Sequence, residues 1–450
     1  MYWGNFIHIY QPPTQKEIWI KRITNESYRK IFSGLVNIKK TKLTVNINGI
    51  LCEFLDKYGG QDVLENIKTL LKNGSIELTG SAKYHAFLPL LPEDEIERQI
   101  ILNEEILKKY FGESWKKSGF FSPEMAYSKK VAKIAKKLGY KWMIIDELAF
   151  PGKEIEWDKI YRINGLDDFY VFFRERKTSF TILSAQVGSV PAVLRMLGDR
   201  IDKNEYLITA MDGETFGHHR PGLETLLFDL MKEPKINSAL ITELIEKFPQ
   251  SEVIEPRNST WAVTKQDLEK SSPYNRWNDN ENIIQQKQWQ LTDLAIEAVR
   301  KNPDNEKIRL MLDEALHSDQ YWWSSARPWW SLEMIERGAY ELRNIIFQSE
   351  KSSEENKETA QRLYSEIIFI GFEWQRSGLV DEMAREEDEE ILARRKEKES
   401  FTVTKKEYQE MIKILEEQMH LAAKSEEYHR AAMIKDRIRE LKEEVDKLKE

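Results

Sequence analysis

Tyr206-Leu-Ile-Thr-Ala-Met-Asp-Gly-Glu-Thr-Phe-Gly-His-His-Arg220 is the stretch on which the reading of the fold turns. Its first six residues form a short, almost wholly apolar run, the pattern of a strand buried on both faces. The run ends on Asp212 and opens into a loop holding Gly213, Glu214, Gly217, His218, His219 and Arg220. Glycines there allow a ligand to approach the backbone closely. Working back along the chain, six more runs of this kind precede it: Trp3–Ile9, Leu43–Ile47, Ser75–Thr79, Gly119–Phe121, Lys141–Ile145 and Tyr170–Phe173. Gln61–Leu71, Asp94–Tyr110 and Lys129–Leu138 lie between runs and carry apolar residues at helical spacing. Strand–helix alternation predicts a parallel sheet with helices outside it, and at 450 residues a closed or nearly closed barrel is the leading form.

Each run delivers polar residues at its carboxyl end, where barrels of this kind collect functional groups. His8 and Gln11 follow the first, Asn46 and Asn48 close the second, and Glu77 with Thr79–Ser81 closes the third. Glu124 follows the fourth, Asp146 and Glu147 the fifth, Arg174 and Arg176 the sixth, and Asp212 with Glu214 the seventh. Loops are polar in any case, so the weight lies in the succession and in the acids within it.

Bulk properties narrow the function. A net charge of −8 argues against a nucleic-acid face, which requires a basic surface. The single cysteine, Cys52, precludes an internal disulfide and reads as a small buried hydrophobe in a reducing compartment. The first residues lack a basic region followed by a long apolar one, and no stretch reaches the ~18 apolar residues of a membrane span, so the expectation is a soluble, cytoplasmic protein.

Two acids stand in settings suited to breaking a glycosidic bond, which usually takes one ionised and one protonated carboxyl group. Glu124 sits in Phe120-Phe-Ser-Pro-Glu-Met-Ala-Tyr127, where Pro123 fixes the backbone and aromatic neighbours shield the side chain. Its bland alternative is a first-turn acid of the next helix, favoured by the macrodipole. Asp212, delivered by a buried strand beside Glu214, is expected to have a raised pKa, as a general acid requires. Its bland alternative is a turn Asp bonded to its own loop. Ser318-Asp-Gln-Tyr-Trp-Trp-Ser-Ser-Ala-Arg-Pro-Trp-Trp330 places four Trp within nine residues, beside Asp319 and Gln320. Aromatic faces next to fixed polar groups suit the flat C–H faces of sugar rings; packing of helices on the barrel is the ordinary alternative. A metal site finds little support, since there is no H-E-x-x-H and no cysteine cluster.

Five segments, in order, resemble the motifs of glycoside hydrolase family 57, the α-amylase and 4-α-glucanotransferase-like enzymes. They are Phe6-Ile-His-Ile-Tyr-Gln-Pro12, Gly74-Ser-Ile-Glu-Leu-Thr-Gly-Ser81 running on to His85 and Pro89, Phe121-Ser-Pro-Glu124, Met211-Asp-Gly-Glu-Thr-Phe-Gly-His218, and Asp319-Gln-Tyr-Trp-Trp-Ser-Ser-Ala-Arg-Pro-Trp329. The resemblance implies an incomplete (β/α)7 barrel followed by a helical subdomain, and a retaining double displacement on α-linked glucans without cofactor or metal. It makes Glu124 the nucleophile and Asp212 the general acid/base. His8, Gln11, Glu77, His85, His218, Asp319, Gln320, Trp322 and Trp323 become the substrate-binding residues. Tyr10 stands where the first motif usually has His, and a tyrosine cannot become cationic near neutral pH.

The tail resembles a second motif. Leu415-Glu-Glu-Gln-Met-His-Leu-Ala-Ala423 and Tyr428-His-Arg-Ala-Ala-Met-Ile-Lys-Asp-Arg-Ile438 are similar to the UVR motif, an antiparallel helical hairpin that buries its apolar seam against a partner or a copy of itself. The expected division is therefore a catalytic barrel over 1–280, a helical subdomain with the Trp-rich motif over 281–350, a helix and charged linker over 351–400, and the hairpin over 401–450. The expected partners are an α-glucan or maltooligosaccharide and, through the hairpin, another protein or a second copy. Two rival functions stay open: a glucan-binding regulatory protein whose barrel turns over little or nothing, and a metal-dependent deacetylase or mannosidase.

Overall fold

The structure, a computed structural model, describes residues 1–387, 404–424 and 427–447. Ten strands are described: β1 Tyr2–Ile9, β2 Leu43–Ile47, β3 Ile76–Thr79, β4 Gly119–Phe120, β5 Trp142–Asp146, β6 Ile160–Ile163, β7 Tyr170–Arg174, β8 Tyr206–Asp212, β9 Asn237–Ser238 and β10 Ser251–Ile254. One sheet runs β3-β2-β1-β8 with β9 paired to β1; the other runs β10-β6-β7-β5-β4. All pairings are parallel except β6 with β7. The chain is thus a mixed α/β fold. Three strands, β6, β9 and β10, were not expected; each is only two to four residues long and has no periodicity to read.

Two links join the sheets. Gly80 bridges β3 to β4, its N–H reaching the Gly119 carbonyl and its carbonyl accepting from Phe121 N–H, both at 2.9 Å. A side chain at position 80 would collide with the Tyr140 hydroxyl 1.9 Å away, so only glycine allows the approach. On the other flank the Glu175 N–H donates to the Ile208 carbonyl at 2.8 Å, tying the end of β7 to β8.

Strand alternation sorts the core. Phe6, Trp142, Ile144, Phe172, Ile208 and Ala210 meet in one central cluster, while Ile7, Ile9, Leu207 and Met211 face a separate cluster with the surrounding helices. Each fully buried large side chain contributes roughly 1.5–3 kcal/mol. His8 follows Phe6 in phase, and Asp212 follows Ala210. Both therefore continue the inward face beyond its apolar part. Register confirms the level: His8 pairs with Asn46 and with Asp212, and Asn46 pairs with Thr79.

The helices expected over 61–71, 94–110 and 129–138 occur at Gln61–Lys72, Glu93–Phe111 and Lys129–Lys137. Helices Ile283–Arg300, Leu332–Gln348 and Glu354–Ser377 pack on one another, and a single core runs from Met143 and Phe173 into Leu291, Leu342 and Ile367. The polar break expected over 351–359 is shorter than its composition suggests. Ser353 caps the Asn356 N–H and starts the helix there. Lys405–Lys424 and Tyr428–Lys447 form two helices that pack together along Met411, Leu415, Leu441, Ile434 and Ile438. Residues 388–403, the end of the expected charged linker and the start of the expected hairpin, lie outside the described residues. No described helix is long and apolar enough to cross a membrane.

Candidate active site

Glu124 is set by its backbone. It adopts φ +60°, a left-handed conformation that costs a non-glycine residue energy and recurs at functional sites. Its carbonyl accepts the Trp261 N–H at 3.1 Å, and the Trp261 indole N–H reaches Glu124 Oε2 at 2.9 Å. Ser318 Oγ lies 3.0 Å from Glu124 Oε1. The carboxyl is therefore held at both oxygens, by one residue from the segment that follows β10 and one from the helical part. Burial pushes its pKa up to about 8, with help from the charges of Asp319 and Asp212 and against the pull of the Ser318 and Trp261 bonds.

Asp212 is placed differently. No donor among the described residues lies within hydrogen-bond distance of its carboxylate, and burial raises its pKa to about 6 against the opposing charge of Arg174. Glu214 is drawn away from Asp212's role by its own partners: Gln11 Nε2 at 3.2 Å, the Tyr10 N–H at 3.5 Å, and a short bond from the Tyr28 hydroxyl. Burial and Asp212 together raise Glu214 to about 8.

A hydrogen-bonded row runs inward from Glu124. Ser318 Oγ is 2.9 Å from His85 Nδ1, His85 Nε2 is 3.1 Å from His8 Nε2, and His8 Nδ1 is 2.8 Å from Asn46 Oδ1. The Asn46 amide N–H then donates to Thr79 at 3.0 Å. Burial holds His8 down to about 4 and His85 well below its ordinary value, so both are neutral. A neutral imidazole and a hydroxyl each carry one hydrogen, so the row has a direction. With the Asn46 carbonyl facing His8, His8 donates from Nδ1 and His85 from Nε2. The Ser318 hydroxyl, beside His85 Nδ1, donates to Glu124 Oε1.

Asp319 supplies the site's fixed anion. It accepts the Tyr10 hydroxyl at 2.7 Å and lies 3.2 Å from His317 Nδ1. Burial opposes charge on His317, but the bonds from Asp319 and Glu341 outweigh it and raise the imidazole to about 9. The His317 bond and charge in turn overcome burial and keep Asp319 below the usual carboxylate range. Tyr10 lies flat against His85, 3.9 Å between ring centres. The tyrosine is thus a neutral hydroxyl donor, and the local cation is His317.

The sequence candidates separate into two sets. Glu124, Asp212, His8, His85 and Asp319 are brought together. Gln11 lies at the edge, occupied by Glu214 and Tyr28. Trp322 stacks on Trp277, which stacks on Phe87, and Trp323 meets Trp329 edge-on, so an aromatic wall runs outward from the Trp261 side. Three candidates stand elsewhere. Glu77 lies two residues below the His8–Asn46–Thr79 level, its carboxylate taken by Thr44 and Thr242. Gln320 is fully buried among helices, donating to the Ala315 carbonyl. His218 pairs with Glu26 at 2.6 Å, on the outer side of its loop. Ser318 and His317 were not singled out for a role from sequence; only their place in or beside the Trp-rich segment marked them. Trp261 lies outside the quoted motifs, and no local signal made it a partner of Glu124.

Residues 6–256 match the profile of Glycosyl hydrolase family 57, and residues 409–444 match the UvrB/uvrC motif. An α-amylase of Pyrococcus horikoshii is 25% identical over 256 residues, covering 54% of this chain and 40% of its own length. A 4-α-glucanotransferase of Thermococcus litoralis is 22% identical over 256 residues, with coverage of 54% and 38%. The chain thus spans well under two thirds of the length of these curated relatives. Among solved structures, a branching enzyme of family 57 from Thermococcus kodakaraensis superposes with a TM-score of 0.62 at 15% identity, covering 80% of this chain and 94% of that one. The Thermococcus litoralis 4-α-glucanotransferase structure gives 0.61 at 17%, with coverage of 76% and 58%. Matched over more than half its length and carrying the expected motifs in order, the chain belongs to glycosyl hydrolase family 57.

Proposed function

We propose that this chain is a retaining α-glucan hydrolase or glucanotransferase, with Glu124 as nucleophile and Asp212 as general acid/base. The observation that carries the roles is the contrast in how the two acids are held. A nucleophile must be aimed, and Glu124 is gripped at both oxygens from a strained backbone. A general acid must release and recover a proton, and Asp212 has no competing donor. One proton resides on the pair. In the empty site it rests on Glu124, whose affinity is the higher. Attack requires it on Asp212, so an α-glucan bound between the two acids has to favour the ionised Glu124, by excluding water and bringing a developing positive charge to the sugar carbon.

The supporting geometry extends outward. Tyr10 and Asp319 offer a hydroxyl and a carboxylate for sugar hydroxyls, His8 and His85 form the buried row beside them, and Trp261, Trp322, Trp323 and Trp329 offer ring faces for a linear chain. We read Glu77, Gln320 and His218 as scaffold, since each is bonded to groups away from that row.

The architecture fits the same reading. Parallel strands in the order β8-β1-β2-β3-β4-β5-β7, linked at Gly80 and at Glu175, form the incomplete (β/α)7 barrel of residues 1–280. Helices of 281–350 complete the site through Ser318 and Asp319, and Lys405–Lys424 with Tyr428–Lys447 make the antiparallel hairpin expected over 401–450. Glu124→Gln and Asp212→Asn test the proposal. Each is expected to leave a folded protein whose turnover of maltooligosaccharides falls at least ~100-fold, from loss of nucleophile or proton donor. Turnover within error of the parent in either variant contradicts it.

A further inference from the structure

The two terminal helices are not free of the barrel, and where they touch it is specific. Arg430 makes a short ion pair with Glu224, and both side chains are about nine-tenths buried. Glu427 meets Lys30 at 2.9 Å, and Glu407 takes Arg195 through both oxygens. Met411 covers Gly188, and Leu415 covers Gly222, which has φ +91°; a Cβ at either glycine would come within 2.9 Å of the hairpin side chain. A groove of about 300 Å³ between the two bodies is lined by His219, Arg220 and Gly222 on one side and Leu415, Met433 and Arg437 on the other.

The contacts at Gly222 and Glu224, with the groove wall of His219 and Arg220, lie on the loop that follows Asp212. The His218 and His219 N–H groups both donate to the Glu214 carbonyl, at 3.2 and 2.8 Å. Ser27 donates to the Gly213 carbonyl at 3.0 Å, and a Cβ at Gly217 would meet the Glu26 carbonyl oxygen at 2.1 Å, so loop and turn 24–28 are interlocked. Tyr28 from that turn holds Glu214. Arg22, which pairs with Glu26, also reaches Met433 of the hairpin at 3.9 Å.

We infer that the hairpin is a positioning element for Asp212: docked on loop 213–224 and on turn 24–28, it fixes the backbone that carries the proton donor. Arg430 is its central positioning residue, acting through Glu224 and never touching substrate. The inference rests on the proposed role of Asp212. It gives the hairpin's seam an occupant within the chain, its own barrel, in place of the second protein expected from the motif. A misplacement of about 1 Å at a catalytic group costs up to 100-fold in rate, so a clamp of this kind has a measurable effect.

The test uses the full chain with Arg430→Glu, Arg430→Lys and the double variant Glu224→Arg/Arg430→Glu, read by amide hydrogen exchange over 211–224 and by kcat and KM on maltooligosaccharides. Arg430→Glu is expected to raise exchange in that loop and to lower kcat about 10- to 100-fold with KM little changed. Arg430→Lys and the charge-swapped pair are expected to recover most of both. If Arg430→Glu does not fold, Arg195→Glu, at a pair whose arginine is 44% exposed, replaces it with a smaller effect of the same kind. Unchanged loop exchange overturns the inference, and so does a loosened loop with unchanged kcat. A parent chain inactive on glucans overturns the functional proposal alone, and loop exchange then still decides whether the hairpin holds the loop.

Discussion

The two corners of the site are built on opposite plans. Around Glu124, every neighbour is engaged: Trp261 and Ser318 bond the carboxyl, His85 and His8 extend the row to Asn46, and Asp319 is held by His317 and Tyr10. Around Asp212 no hydrogen bond from a described residue holds the carboxylate, and order is imposed from behind by Glu214, Tyr28 and the loop on which the hairpin sits. The first plan fixes an atom in space; the second leaves a proton free to move while fixing the backbone that carries it. Nucleophile and acid demand those two things respectively.

The largest effect that could break the contrast is loss of either acid, the ~100-fold or greater fall given above. Next, activity is expected to follow a bell in pH. Below about 6 both acids are protonated and the nucleophile is lost; above about 8 both are ionised and the acid is lost. Removing the Asp319 charge sharpens this. Because that charge raises Glu124, Asp319→Asn is expected to move the upper limb to lower pH and leave the lower limb nearly in place; an upper limb that stays put contradicts the electrostatic account.

Much of this was legible in sequence, and what was legible followed a rule. Strand-end position pointed to Glu124, Asp212 and His8, which lie together because in-phase residues of a buried strand continue onto one face, while His85 came only from the motif resemblance. The same rule failed for Glu77, which lies within β3 and not at its end, and two residues suffice to lower it to the Thr44 level. His218 and Gln320 sit inside motifs yet turn toward Glu26 and the Ala315 carbonyl, a choice made by tertiary packing. Ser318 and Trp261 reach Glu124 from 194 and 137 residues away, and no local pattern encodes such a meeting. The docking of the hairpin was hidden for the same reason, since its seam looks alike whether a partner or the rest of the chain covers it.

Smaller effects probe the Glu124 corner. Trp261→Phe removes one of two bonds to the carboxyl, and Tyr10→Phe removes one of two to Asp319; each is expected to lower kcat about 10- to 100-fold, the worth of one hydrogen bond to a charged group. Without any effect on rate, ¹⁵N spectra of the histidines report the direction of the row. At neutral pH His8 is expected as the Nδ1–H tautomer and His85 as the Nε2–H tautomer. The reverse pair contradicts that direction.

The most direct measurement is incubation of the parent chain with maltoheptaose, following both product length and the anomeric form of the first products. The account predicts new maltooligosaccharides, shorter by hydrolysis or longer by transfer, formed with the α configuration retained. Products of inverted configuration, or no products where Glu124→Gln and parent behave alike, would contradict it.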